Sequence, residues 1–249
     1  MTRPLVLVDL DDTIFQTKGK CPPHVAEDRL VVVATAKTGK HSYMTPAQKH
    51  LLDWFMSTAD LVPVTARSSG AYAGIDIRFQ AGAVLSNGQL ILEADGTPDP
   101  VWQQRMTADL LPYHDTLRGL LEEGRASCAA LGIDARSLVV GEGGVLGYVV
   151  FKDNQGPGDR LPEIVFDPDK LQGWTVHHNG NNLALIPPVL SKRRAVEYLI
   201  AKVRGTEPDK PVIGFGDSVT DIPFLQLCDM WGMPSRSQIV ESFAREQAA

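Results

Sequence analysis

Three carboxylates fall within four positions of the segment "LVLVDLDDTIF": Asp9, Asp11 and Asp12 directly follow an apolar run at residues 5–8. Near the other end of the chain, "PVIGFGDSVTD" repeats the arrangement, with Asp217 closing a second apolar run and Asp221 four residues on. In an open parallel sheet, ligands bind beyond the carboxyl ends of the strands, near the point where strand order reverses. If the two runs are neighbouring strands, Asp9, Asp11 and Asp217 converge there, with Asp221 as a further candidate. Converging carboxylates repel one another unless a cation neutralises them. Hard oxygen ligands without His or Cys suit magnesium better than zinc.

The elements that must position these residues are legible in outline. Strands are expected at 4–9, 29–36, 61–66 and 81–86. "MTPAQKHLLDWF" carries a helix start, with Thr45 as N-cap, Pro46 at the first helical position and Gln48 in capping-box position. Leu51, Leu52 and Phe55 then offer one apolar face. This strand–helix–strand rhythm is that of a parallel sheet with crossover helices. The rhythm changes after residue 86. A helical stretch at 101–131 is followed by strand patterns at 137–153, 163–167 and 174–188, the last broken by Asn179-Gly180, a favoured hairpin dipeptide. A helix at 191–203 with Ser191 as possible cap, and a buried strand at 211–218, restore the first rhythm. The expected architecture is an α/β core from residues 1–86 and 188–249, with an α+β unit at 87–187 inserted between its halves. Trp102, Tyr113 and Trp174 read as core of the insert.

Bulk properties narrow the function classes. The chain has 249 residues, 43% apolar and 22% charged, with a net charge of −6. That acidity argues against a nucleic-acid backbone or an anionic membrane as main partner, but leaves room for a small phosphorylated metabolite. No apolar stretch approaches the roughly 18 residues of a membrane span. Asp9 interrupts the first apolar run too early for a signal peptide, so a cytoplasmic protein is expected, as a monomer or homodimer. Cys21, Cys128 and Cys228 are widely spaced, which fits three reduced thiols.

The motifs resemble those of the haloacid dehalogenase superfamily of phosphohydrolases and phosphotransferases. D-x-D-x-T is matched by Asp9 to Thr13, the strand-end Thr by Thr65 in "LVPVTARS", the Lys by Lys192, and G-D-S-x-x-D by Gly216 to Asp221. The order and the insert between the second and third motifs resemble the branch with a large α/β cap, which includes Cof-type, sucrose-phosphate and mannosyl-phosphoglycerate phosphatases. The resemblance implies a Rossmann-like parallel-sheet core and a magnesium-dependent phosphatase, with a sugar phosphate as the expected substrate. Asp9 would form an aspartyl phosphate, Asp11 would act as acid and base, and Thr65 and Lys192 would hold phosphoryl oxygens. Magnesium would be held by Asp9, the main chain of Asp11, and Asp217, with Asp221 in support. A phosphomutase and a non-catalytic phospholigand-binding module are the alternatives; a dehalogenase is disfavoured by Asp11. Two positions depart from the branch: Asp12 stands where Gly is usual, and Thr220 where Asn is common. Arg67, His178 and Asn181 are candidates for substrate contact, beside local roles as an ion pair and a polar hairpin turn. The stretch 33–44 is longer than the resemblance leads one to expect and is read as an extended flap.

Overall fold

Leu5–Val8 is buried along its whole length and forms β1. Apolar side chains on both faces mark a strand covered on both sides, as central parallel strands are. The computed structural model describes residues 3–36 and 38–247. After a tight loop, β2 (Gln16–Thr17), β3 (Val31–Thr35) and β4 (His41–Met44) build a small antiparallel sheet in the order β2-β4-β3. The strand expected at 29–36 therefore lies outside the parallel sheet. Val31 and Val32 are 40% and 45% exposed, which no strand buried between two helical layers tolerates, and β3 turns back onto β4 instead. α1 (Pro46–Thr58) starts as the sequence dictates. Thr45 Oγ1 accepts from the Gln48 N–H, and the Gln48 side chain reaches back to the Thr45 N–H. Leu52 and Phe55 face the core, whereas Leu51 is turned to solvent. β5 (Asp60–Pro63), α2 (Ser69–Tyr72) and the antiparallel pair β6 (Ala83–Leu85) and β7 (Leu90–Leu92) follow.

Residues 100–191 form a separate compact unit. The stretch expected as one helix is two, α3 (Pro100–Leu110) and α4 (His114–Leu131), joined by a 3-10 turn. Pro112 lies in that turn and has no N–H for a continuous helical ladder. Then come β8 (Ala135–Glu142), β9 (Val145–Asp153), β10 (Thr175–Asn179) and β11 (Asn182–Ile186), an antiparallel sheet in the order β10-β11-β9-β8. Residues 163–167 are not a strand; a 3-10 turn at Leu161–Glu163 begins an irregular segment. Gly180 takes φ 53°, which lets the two-residue β10–β11 loop close. Leu117, Leu120 and Cys128 of α4 pack with Val149, Phe151, Leu183 and Leu185 of the sheet. Trp102 is fully buried, and Tyr113 meets Trp174 edge-on at 5.8 Å.

The chain then returns to the first unit with α5 (Lys192–Thr206), β12 (Val212–Phe215), α6 (Ile222–Leu225), β13 (Met230–Gly232) and α7 (Gln238–Gln247). Its main sheet is parallel, in the order β13-β12-β1-β5. Val6, Val8, Leu10, Phe15, Met44, Leu52, Phe55 and Leu61 pack together against it. The first unit comprises residues 1–99 and 192–249, so it keeps more of the chain than the 86/87 and 187/188 boundaries expected. Two contacts explain this. Val84 bridges to Val64, and Asp99 is held by the Tyr198 hydroxyl and Lys202 of α5. Among the described residues no helix is long and apolar enough to cross a membrane.

In the second unit, a Cβ added at Gly124 would come within 2.1 Å of the Phe151 ring. Gly124→Ala gains about 1 kcal/mol of helix propensity but overpacks a rigid aromatic. A net loss of about 1–3 kcal/mol, read from urea unfolding, is the expected outcome.

Candidate active site

The parallel pairing of β1 with β12 sets Val8 opposite Phe215, and the Asp9 N–H continues the ladder to the Phe215 carbonyl at 2.9 Å. Asp9 and Asp217 thus leave adjacent strand ends together. β1 also pairs with β5 on its other side, so strand order reverses here. Gly216 makes room for the third carboxylate: a Cβ there would lie 2.8 Å from the Asp221 Cβ. Asp221 is seated by a capping box, in which its Oδ2 accepts from the Ser218 N–H at 3.1 Å.

The carboxylates of Asp9, Asp217 and Asp221 lie within 4.8 Å of one another, and all are buried. Lys192, the first residue of α5, donates to Asp9 Oδ1 at 2.6 Å and to Asp221 Oδ1 at 2.7 Å. Thr13 Oγ1 stands 3.5 Å from Asp9 Oδ2 and 3.4 Å from Asp217 Oδ1, with one proton to give. One ammonium faces three carboxylates, and the imbalance shows in their proton affinities. Burial, opposed by Lys192 and reinforced by Asp221 and Asp217, holds Asp9 well above the usual carboxylate range. Burial, followed by Asp221 and Asp12, pushes Asp217 up to about 7. Burial works against the charge on Lys192, but Asp221 and Asp9 outweigh it and raise its pKa.

Asp11 lies outside this buried group; its side chain is 51% exposed. Both its oxygens are taken by Arg67, through Nε and Nη2 at 2.7 Å each. Thr65 is buried at the end of β5, where its Oγ1 accepts from the Arg67 N–H at 3.1 Å. Asp12 has φ 65°. That is the left-handed region, which glycine enters freely and which Asp tolerates better than most residues. The Asp12 carboxylate pairs with Lys20. Thr220 is exposed and donates its N–H to Ser218 Oγ, bracing the loop that carries Asp221. His178 and Asn181 belong to the second unit, where each is engaged locally: His178 Nε2 with the Gly158 carbonyl at 3.0 Å, Asn181 Nδ2 with the Asp153 carbonyl at 3.3 Å.

Lys20, Ser42 and Phe15 were not signalled by the sequence. Lys20 pairs with Asp12, while Ser42 and Phe15 both contact Arg67. Only Phe15 sits near a motif, and an apolar residue there reads as core.

No family model and no curated protein matches the sequence. Solved structures do match its fold. A Thermoplasma acidophilum protein superposes with a TM-score of 0.58 at 15% identity, over 97% of this chain and 89% of its own. The sucrose-phosphatase of Synechocystis sp. PCC6803, solved with sucrose and phosphate, gives 0.55 at 17% identity over 98% of each chain. The C-terminal domain of the C. albicans trehalose-6-phosphate phosphatase gives 0.55 at 12%, over 90% of this chain and 73% of that one. The chain thus shares its fold with a sucrose-phosphatase and a trehalose-6-phosphate phosphatase domain. Within this fold, Asp9 and Asp217 lie just beyond neighbouring strand ends, and Asp221 lies in the 3-10 turn that follows β12.

Because the folded chain holds protons on Asp217 that an unfolded one releases above its ordinary 3.8, this source of stability is complete below about pH 4 and gone above about pH 7. In excess chelator, Asp217→Asn should therefore melt higher than the parent protein at pH 8. The gap should widen steadily between pH 4 and pH 7 in circular-dichroism melts.

Proposed function

We propose that this chain is a magnesium-dependent phosphomonoester hydrolase that works through an aspartyl phosphate on Asp9. The observation that carries the reading is the buried Asp9–Asp217–Asp221 group with Lys192 hydrogen-bonded into it, at the strand-order reversal of a parallel sheet. Three carboxylates against one ammonium leave an excess of negative charge in a buried place. All donors are hard oxygens, so the residues fit a magnesium ion. Asp9 and Asp217 would hold it with the main-chain carbonyl of Asp11, and Asp221 would support them. When bound, the metal supplies charge neutralisation and orients the phosphoryl group.

The chain's own residues then divide the work. Asp9 Oδ1 is engaged by Lys192, which leaves Oδ2 to attack phosphorus. The bond from phosphorus to the ester oxygen breaks, and Asp11, entering this step as the carboxylic acid, gives its proton to that oxygen and becomes the carboxylate. In the second half, water attacks the aspartyl phosphate, Asp11 takes its proton, and the Asp9 carboxylate is released. Lys192 and Thr65 hold phosphoryl oxygens, and such positioning carries much of the catalysis when the transferred group is loosely bonded.

A sugar phosphate is the substrate class we favour. Two proteins that share the fold are named for sucrose phosphate and trehalose 6-phosphate chemistry. Discrimination would lie in residues 100–191, because metal and phosphate contacts are common to every phosphomonoester. His178 and Asn181 are the first positions to test there.

Phosphate release from p-nitrophenyl phosphate should fall to background in excess chelator and return with added magnesium. Asp9→Asn should keep its melting profile yet retain less than about a hundredth of the parent kcat; a variant near the parent rate excludes a covalent route through Asp9. His178→Ala and Asn181→Ala should reorder the kcat/KM ranking across a panel of sugar phosphates.

A further inference from the structure

Asp11 is the exposed carboxylate of the first motif, and among the described residues its side chain has one polar partner, Arg67. That partner is held from several sides. Its N–H is bonded to Thr65 Oγ1 at 3.1 Å, and its carbonyl accepts from the Ser86 N–H at 2.8 Å. Its guanidinium lies 5.0 Å from the centre of the Phe15 ring, and Nη2 stands 3.5 Å from Ser42 Oγ on β4. The Arg67 side chain is only 19% exposed. A half-exposed aspartate ordinarily samples several rotamers. Here a planar fork that is itself fixed engages both of its oxygens, which allows one orientation.

We infer that Arg67 is a positioning residue for Asp11, acting on turnover through that carboxylate and not by touching substrate. The inference rests on the reading of Asp11 as the group that exchanges a proton with the ester oxygen and then with water. Proton transfer needs the carboxyl within hydrogen-bond reach of both oxygens in turn. Misplacement of a catalytic group by about 1 Å costs on the order of 100-fold. Two segments outside the motif residues hold this pair: β4 supplies Ser42 to one edge of the guanidinium, and the residue just before β2, Phe15, lies against its face.

The test is a double-mutant cycle on the full chain with p-nitrophenyl phosphate, whose leaving group departs without an acid, so Asp11→Ala keeps a measurable rate. Alone, Arg67→Ala should lower kcat by roughly 10–100-fold and leave KM within about threefold. Made in the Asp11→Ala background, it should change kcat by less than about threefold, because its target is already gone. An equal loss in both backgrounds overturns the inference, as does a raised KM at unchanged kcat, which marks a substrate contact. If Arg67→Ala does not fold, Arg67→Lys completes the same cycle, since it keeps the stem over Phe15 but not the two-pronged bond. A parent protein without phosphate release, or an Asp11→Ala variant at the parent rate, overturns the proposed function and this inference together, and neither result resembles a failed cycle in an active enzyme.

Discussion

A single ammonium group, that of Lys192, stands between two of the three carboxylates that the main sheet buries at its carboxyl edge. Everything around it follows from that shortage of positive charge. Placing ionised groups in a dry environment costs several kcal/mol each unless each is paired and hydrogen-bonded. The fold answers partly with dipoles, through the Thr13 hydroxyl and the Ser218 N–H, and partly by raising the proton affinities of Asp9 and Asp217. The remaining deficit is the physical argument behind the proposal of a divalent cation at this site.

The same pattern extends outward. Asp11 and Asp12 adjoin the buried group in sequence, and each carries its own cation, Arg67 from beyond β5 and Lys20 from the short turn after β2. Three basic groups from three distant parts of the chain thus converge on one four-residue segment and its surroundings. Asp12 bears on Asp217 from outside, and Lys20 acts against it. An aspartate at position 12 is consequently more than a conformational detail. It adds a charge that Lys20, in the 3-10 turn after β2, balances.

The buried strands β1, β5 and β12 were legible because an apolar run ending in a carboxylate is an unusual string with a local cause. The capping box at Thr45 was legible for the same reason. The destination of 29–36 was not. Its valines satisfy any strand template, and only the partner strand β4, reached through a hairpin, tells an exposed antiparallel ribbon from a buried parallel one. The break in 101–131 was visible in Pro112 but was outweighed by helical periodicity on both sides. At the site, the motifs pointed to Asp9, Asp217, Asp221 and Lys192, but they also counted Asp11 among the converging carboxylates, from which its exposed pairing with Arg67 separates it. The pairing of Arg67 with Asp11, and of Lys20 with Asp12, could not be read from them, since each depends on side chains meeting across 56 and 8 residues with no pattern between them.

The ladder between β1 and β12 joins residue 5 to residue 212. During synthesis the ribosome delivers about 5–20 residues each second, so Asp9 waits on the order of 10–40 seconds for the strand that carries Asp217 to its side. The unit formed by residues 100–191 is complete before that strand exists. Until then β1 has β5 as its sheet partner, and the edge that will receive β12 stays open, with a charged tip. Charges at the tip of an open apolar edge disfavour intermolecular strand pairing, so the placement of Asp9, Asp11 and Asp12 suits the nascent chain as well as the folded one.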